Sequence, residues 1–558
     1  MIQTYKLLCG FFILGSQTMR KVLCLFLSAL MLIACFQAYS FSAAANSAVY
    51  ITKMTAVEPA AKTVVLAVNQ SRQLYIRVLP ESAKKRVAWS VADKRIAAVS
   101  STGFVVGKKP GRTSVTVRAT DASKKSITYN LIITTRKSGN NLSTKPCTIV
   151  NTKRTIYPYE QLCKDIIALK QKYPYLFNYV CLGRSYDNRG IFEIIIGNQK
   201  SKNQVFVQAT MHAREYVNSM LVMEQIETLC ANCYAGTYRG IYYSELLKNS
   251  CFHILPMVNP DGVSISINGA GGIRNKQLRS KVVQMCQNYG KGEESYYTKW
   301  KANARGVDLN RNWDCNWEKG LTTVDYACSE AYKGAAAFSE IETRIVKKAV
   351  ERVQPKAVLS YHSFGSIIYW DFIQKGALQR KCSDLFAITS RLTGYSSAEN
   401  PSASTSSTAT LSPCFGDWLA SVKKLPTVTM ETGTVACPIP NKYFPDIWKE
   451  NQHILPAIAY FAMNDTAINL SALKAGKQSF YVAAQRNNAS NFAYQLEYST
   501  SANHKNAKYV ALSASKGSLS VSKLKANTTY YIRIRTIKKY GTVNICGSWS
   551  QTYRVRTK

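Results

Sequence analysis

Apolar and polar positions change their period twice along this chain. Between about residues 49 and 136 the apolar residues fall in short alternating runs: Val64-Val-Leu-Ala-Val68, Gln73-Leu-Tyr-Ile-Arg-Val78, Arg86-Val-Ala-Trp-Ser-Val91, Ser114-Val-Thr-Val117 and the run from Ile127 to Ile133. Turn residues separate them at regular intervals, which predicts a β-sandwich. A polar stretch rich in Gly, Ser and Asn, residues 136–146, then reads as a linker. Over residues 149–464 segments of helical period (159–172, 217–229, 339–353) alternate with apolar runs (192–196, 205–209, 252–257, 357–361, 427–430). Such alternation predicts an α/β domain with a mixed or mostly parallel sheet whose working residues gather at strand ends. Residues 468–558 return to strands, as in Tyr494-Gln-Leu-Glu-Tyr498, Tyr509-Val-Ala-Leu512 and Thr529-Tyr-Tyr-Ile-Arg-Ile-Arg535, and predict a second sandwich.

With 558 residues, 46% hydrophobic and 19% charged, the chain is globular and needs several cores. Met19-Arg-Lys21 opens a basic segment, an apolar run follows from Val22 to Ala34, and Ala43-Ala-Ala45 closes it. This is the layout of a secretory signal peptide spanning residues 1–45, with Met19 competing with Met1 as the start. Leu32-Ile-Ala-Cys35 also fits the bacterial lipoprotein pattern, a match that the composition of an apolar stretch produces by chance, and chance is the preferred reading. No other stretch is apolar for long enough to span a bilayer, so the mature chain is expected to be exported, and soluble or tethered to the cell surface. The net charge of +40 is dispersed, which suits attraction to anionic cell-wall polymers, and no nucleic-acid motif accompanies it. Of sixteen cysteines three lie in the leader. The remaining thirteen leave at least one unpaired; Cys315 and Cys328 are plausible partners, while Cys230-x-x-Cys233 lacks the second pair of a zinc knuckle.

Candidate chemistry concentrates in the middle domain. The run Val205-Phe-Val-Gln-Ala-Thr210 is followed at once by Met211-His-Ala-Arg-Glu215, which sets an imidazole and a carboxylate three residues apart at a strand end. These are ligands a zinc ion accepts. Alone, His-x-x-Glu is a weak signal. It is joined by Ala357-Val-Leu-Ser-Tyr-His362, by Thr427-Val-Thr-Met-Glu431, by Trp300-Lys-Ala-Asn-Ala-Arg-Gly-Val-Asp-Leu-Asn-Arg-Asn-Trp313, and by Cys328-Ser-Glu-Ala-Tyr-Lys-Gly334 with Phe338-Ser-Glu340. In this order the motifs resemble the M14 family of zinc carboxypeptidases over the whole central domain. The resemblance implies one zinc ion held by His212, Glu215 and His362 with a fourth position left for water, and Glu431 as general base. It further implies that Asp308 takes a hydrogen bond from the first zinc histidine, and that Asn310 and Arg311 grip the substrate's terminal carboxylate. Arg214 and Lys301 would add positive charge near the reacting carbonyl. Only five histidines exist (His212, His253, His362, His453, His504), so few other metal sites can be built.

Two departures bear on substrate. Lys301 stands where animal digestive members carry an arginine, and the phrase around Trp300 is instead similar to bacterial members that cut the γ-D-glutamyl bond to a diamino acid in peptidoglycan stem peptides. Those need not carry the arginine that this chain has at Arg311. Aligning Asp417-Trp418 with the family's Asp-Trp pair places Ala409 or Thr410 where a substrate-covering tyrosine is expected, and no tyrosine occurs between Tyr395 and Tyr443. The same alignment puts Gly416 at the position that sets side-chain preference, so the pocket names no side chain.

Flanking segments add further resemblances. Trp89-Ser-Val-Ala-Asp-Lys-Arg-Ile-Ala-Ala-Val-Ser100, Gly103-Phe-Val-Val-Gly107 and Gly111-Arg-Thr-Ser-Val-Thr-Val117 resemble the bacterial immunoglobulin-like group 2 domain, and the spacing from Leu524 to Tyr530 resembles the tyrosine corner of a fibronectin type III domain. The expectation is an exported zinc carboxypeptidase with a peptide substrate. The alternatives are a stem-peptide peptidase and, in another class, a non-catalytic cell-surface binding protein that keeps the fold as a relic.

Overall fold

A computed structural model describes residues 50–558 except 85, 138, 142–146, 320–323, 399–410, 465–467, 485–491, 513–516, 541–542 and 548. The proposed leader, Cys35, and the Ala409/Thr410 position fall outside the described residues.

The central domain is one eight-stranded mixed sheet. In chain order its strands are β1 (Phe177–Arg184), β2 (Gly190–Gly197), β3 (Gln204–Ala209), β4 (Cys251–Leu255), β5 (Ala357–His362), β6 (Ile367–Tyr369), β7 (Ser396–Ala398) and β8 (Thr427–Glu431). They lie side by side as β1-β2-β4-β3-β5-β8-β6-β7. Four central strands, β4, β3, β5 and β8, run parallel to one another; β2 and β6 pair antiparallel with this block, and β1 pairs antiparallel with β2. Parallel strands covered on both faces become continuous apolar runs rather than alternations. Val205 through Ala209 and Ala357 through His362 are accordingly buried at every position. Helices α1 (Tyr159–Lys172), α2 (Val217–Ala231) and α5 (Ile454–Asn464) pack on one face with Val205, Val207 and Leu359. On the other, α3 (Ile341–Val353) covers Phe206 and Val358 with Trp313, Phe415 and Trp418. A further helix, α4 (Gly376–Thr393), joins β6 to β7. Among the described residues no helix is long and apolar enough to cross a membrane.

The first flanking unit is the expected sandwich. Thr63–Ala67, Ser126–Thr134, Gly111–Ala119 and Val87–Val91 form a four-stranded sheet, and Ser71–Gln73, Phe104–Gly107 and Ala97–Val99 form a three-stranded one. Val64, Leu66, Val105, Val117 and Tyr129 fill the space between them. It is seated on the central domain by buried polar contacts: both guanidinium nitrogens of Arg136 on the Glu245 carboxylate at 2.8 and 2.7 Å, and the Gln70 amide on Tyr234 O and Ser244 Oγ, each at 3.0 Å. The C-terminal unit is also a two-sheet sandwich around Phe480, Leu496, Ile532 and Ile534. Within it the Tyr530 hydroxyl accepts the Lys525 N–H at 3.1 Å.

The cysteine pairing expected from sequence is corrected. All thirteen cysteines among the described residues are free thiols. Cys315 lies in the tryptophan-rich core under α3 and hydrogen-bonds Ser421 Oγ at 3.1 Å, whereas Cys328 sits in the loop behind Asp308 and donates to Glu330 O at 2.9 Å. Their thiols face different surroundings, and each already has a polar partner.

One buried acid gives the fold a pH dependence. Glu342 in the first turn of α3 is fully buried; burial, then the charges of Asp261 and Glu340, push its carboxyl up to about 8, against a hydrogen bond from Asn303. The folded chain therefore holds a proton that the unfolded chain releases near the ordinary value of 4.5. Its contribution to stability is complete below that value and is lost as pH rises through 8. Thermal midpoints across pH 4.5 to 8.5 should fall more steeply for the wild type than for Glu342→Gln, whose side chain cannot ionise.

Candidate active site

Three adjacent parallel strands end together at one edge of the sheet. Register pairs Ala209 with Tyr361 and His362 with Glu431, and neighbouring strands are about 4.8 Å apart, so residues just past these ends are forced into one small space. Thr210 turns the chain out of β3 with φ of 57°. A β-branched residue adopts that left-handed conformation only when its surroundings impose it. Here they do: Thr210 Oγ1 meets Ser219 Oγ at 2.7 Å, and Thr210 O accepts the Asn259 N–H at 3.1 Å. The next residues form a short 3-10 turn, Ala213–Glu215, that brings His212 and Glu215 to the same side.

His212 Nδ1 lies 2.9 Å from Glu215 Oε1, His362 Nδ1 lies 3.1 Å from Glu215 Oε2, and the two Nδ1 atoms are 3.0 Å apart. All three side chains are buried. Burial lowers the His212 pKa, favouring the neutral imidazole that a metal requires. For Glu215 burial opposes the charge, but His212 and His362 beside it win and hold the carboxyl far below its ordinary range. Two nitrogens and a carboxylate converging from one side form the donor set of a three-ligand zinc site, and these residues fit a zinc ion.

The segment from Trp300 to Trp313 is laid over this turn. Ala213 N–H donates to Lys301 O at 3.0 Å, and the buried Asn259 amide donates to both Met211 O and Ala302 O. Asp308 thereby reaches His212: Oδ1 is 3.2 Å from Nε2, which leaves Nδ1 as the lone-pair nitrogen facing Glu215 and His362. Asp308 Oδ1 also accepts the Asn310 N–H at 2.9 Å, Oδ2 accepts the Ala331 N–H at 3.3 Å, and Lys301 Nζ stands 3.8 Å from Oδ2. Burial raises this acid's pKa, yet Lys301 and His212 keep it well below the ordinary range. Gly306, in the same segment, is required as glycine: its φ is 74°, and a Cβ there would stand 2.8 Å from Cys328 N.

Glu431 ends β8 beside His362. Burial, aided by Glu215, pushes its carboxyl up to about 7 against the pull of His362 and Lys301. Such a group changes protonation in the neutral range and suits proton transfer. The network behind it was not legible in the sequence: Asn218 on α2 donates to Ser363 Oγ at 3.0 Å and accepts from Thr432 Oγ1 at 2.7 Å, and these two hydroxyls lie 2.8 Å apart. It clamps the residues that follow His362 and Glu431. The available signal is a fully buried Asn inside an apolar helix.

Other expected residues sit as follows. Asn310 Oδ1 accepts the Phe415 N–H at 2.9 Å, and Arg311 donates to Asn310 O at 2.9 Å. Lys301 is close enough to Asp308, His212 and Glu431 to perturb all three. Arg214 instead directs its guanidinium to Lys299 O at 2.9 Å and Glu330 at 3.2 Å, an engagement that competes with a role at substrate. His253 is tied to Glu193 and Gln204, and His504 to Glu497.

Comparison with known proteins identifies the family. Residues 162–454 match the zinc carboxypeptidase family model, and residues 51–129 match the bacterial Ig-like domain, group 2. The chain is 28% identical over 306 residues to gamma-D-glutamyl-L-diamino acid endopeptidase 1 of Lysinibacillus sphaericus, across 54% of this chain and 72% of that one. It is 28% identical over 226 residues to carboxypeptidase B of Helicoverpa zea, across 39% of this chain and 46% of the relative, so it spans less than half of that protein. A crystal structure of thrombin activatable fibrinolysis inhibitor superposes with a TM-score of 0.44 at 19% identity, covering 57% of this chain and 80% of the other. With the family model spanning more than half of its length and the ligand set in place, the chain belongs to the zinc carboxypeptidase family of peptide hydrolases.

Proposed function

We propose that this protein is an exported zinc peptidase that hydrolyses an amide bond at the C-terminal end of a peptide. The observation that carries the reading is the convergence of His212, Glu215 and His362 on one point, with Glu431 beside them and Arg311 on the flank. Zinc bound there would polarise the scissile carbonyl and acidify a water molecule. Glu431 takes the proton of the attacking water and passes it to the leaving amine. Lys301 sets positive charge beside the site, as a single ammonium rather than a guanidinium fork. Arg311 and Asn310 hold the substrate's terminal carboxylate, and Asp308 keeps His212 in the tautomer that binds metal.

A second reading, cleavage of the γ-D-glutamyl bond to a diamino acid in a stem peptide, is favoured by the bacterial endopeptidase relative and by Trp300-Lys301. Arg311 serves both, because a stem peptide ending in a diamino acid also presents a carboxylate. A relic without activity is disfavoured, because a chain freed from chemistry has no reason to set the half-buried Glu431 carboxylate close enough to Glu215 to feel its charge. The leader of residues 1–45 supports export, attraction to anionic wall polymers follows from the charge, and a fibronectin type III-like identity for the tail is supported by the Tyr530 hydrogen bond. N-terminal sequencing of secreted protein tests the leader and should begin shortly after Ala45.

Zinc titration should saturate at one ion per chain. Asp308→Asn should weaken zinc binding by about 10–100-fold in competition with a chromogenic chelator; unchanged affinity would remove Asp308 from the site.

Mass spectrometry of products from mixed linear and stem peptides should show chelator-sensitive release of single C-terminal residues. Glu431→Gln should lower the rate by about 10²–10⁴-fold. Cleavage confined to the γ-D-glutamyl bond would select the second reading.

The rate should fall on the acid side as Glu431 takes up a proton. The midpoint should lie at or below pH 7, since any positive charge on the three ligands draws that carboxyl down from about 7. A kcat/KM profile between pH 4 and 9 reads it directly.

A further inference from the structure

One residue facing the site is unclaimed by any expectation from sequence. Tyr369 ends β6, which runs antiparallel to β8 with Ile367 opposite Glu431, Ile368 opposite Met430 and Tyr369 opposite Thr429. Ile368 and Met430 are fully buried in the helix-covered core on one side of the sheet. Side chains alternate along strands, so Ile367, Tyr369, Thr429 and Glu431 share the opposite side, where the strand ends open on the site. Directly paired positions have Cβ atoms about 5 Å apart and diagonal ones about 7–8 Å, which is within reach of a tyrosine ring. Tyr369 is thus the cross-strand neighbour of Thr429 and the diagonal neighbour of Glu431.

Its hydroxyl responds to both ends of the substrate space. Burial raises its pKa, the Glu431 carboxylate adds to the rise, and the Arg311 guanidinium opposes it. The phenol therefore stays protonated at neutral pH, on the Glu431 side of the sheet and near enough to Arg311 to feel its charge. It makes no hydrogen bond to any described residue. Three residues further along the chain, the Phe372 ring packs against Gly416, where an added Cβ would come within 2.5 Å of Cε1, and the neighbouring Phe415 N–H is held by Asn310. A phenolic donor with no partner among the described residues, on the Glu431 side of the sheet and within the influence of Arg311, is free to meet a substrate.

We propose that Tyr369 binds substrate, donating its phenolic hydrogen bond to the terminal carboxylate alongside Asn310 and Arg311, and so takes over from strand β6 the task for which the segment between Tyr395 and Tyr443 has no tyrosine. This rests on the peptidase reading above, and it adds a source of carboxylate selectivity independent of the residue at Gly416.

The test measures binding apart from turnover. Zinc-loaded Glu431→Gln protein is titrated calorimetrically with a cleavable peptide ending in a free carboxylate and with the same peptide ending in a carboxamide, with and without Tyr369→Phe. A lost hydrogen bond to a charged acceptor costs about 1.5–3 kcal/mol. Tyr369→Phe is therefore expected to weaken the carboxylate peptide by about 10–100-fold and to leave the carboxamide peptide within twofold, with an unchanged thermal midpoint. Equal weakening of both peptides, or of neither, would overturn the proposal. In the otherwise wild-type enzyme the same change should raise KM with little effect on kcat; a fall in kcat alone would also overturn it. Wild-type turnover, measured in parallel, judges the peptidase reading: its absence with the binding difference intact would sink that reading and leave Tyr369 as a carboxylate-binding residue.

Discussion

The fold of this site depends on keeping one ionised carboxylate out of water. Asp308 is 1% exposed and still ionised, a state that costs several kcal/mol unless donors surround the charge. The donors come from three pieces of chain: His212 from the turn after β3, Ala331 from the segment after Cys328, and Asn310 and Lys301 from the Trp300–Trp313 segment that carries Asp308 itself. Satisfying Asp308 therefore fixes where all of these segments lie. It also fixes which nitrogen of His212 is free to bind metal. Structural need and chemical role are the same interaction, which is why the site cannot loosen without the surrounding loops loosening with it.

That dependence explains a motif whose purpose the sequence left open. Cys328 to Gly334 and Phe338 to Glu340 carry no catalytic side chain, yet they build the cradle. Tyr332 O accepts the Asp308 N–H at 2.8 Å, Lys333 O and Ala336 O take the Asn312 amide, and Asn312 Oδ1 takes the Glu340 N–H. These are backbone contacts made through turns, and Gly334 with φ of 85° is part of the turn chemistry. Buried backbone groups must be paired, so residues with no function of their own become specific to the site they enclose.

Legibility from sequence follows the same division. Strands β3, β5 and β8 and helices α1 and α2 are readable because apolar runs and helical periods are local properties, and their predicted limits fall within one or two residues of the observed ones. His212, Glu215, His362 and Glu431 are readable because they stand at or just past the ends of those strands, and Asp308 because the motif around it lies between them in a recognisable order. Strand β1, short β6 and β7, and helix α4 were missed, being amphipathic or brief and defined by the partners they pair with. For the same reason Tyr369 stayed hidden: nothing local in Ser-Ile-Ile-Tyr-Trp points to Glu431, and only the antiparallel register brings the two together. The cysteines fail differently, because pairing depends on a distance in space that spacing along the chain does not contain.

The sandwiches and the active domain obey different constraints. The N-terminal sandwich presses Arg136 onto Glu245 with both side chains about 7% exposed, and lays Arg72 over the Tyr234 ring at 4.0 Å. A buried, bidentate pair of this kind fixes orientation more than it adds stability, because desolvation consumes much of its attraction. The sandwich is thereby held in one pose on the helix-covered side of the sheet, where α2 begins near the site and ends next to Tyr234. The strand ends that carry His212, His362 and Glu431 lie at the other end of α2, about 15 residues or roughly 22 Å away at 1.5 Å per residue. A module docked at that distance stands clear of the strand ends that carry His212, His362 and Glu431 while its orientation on the domain is fixed.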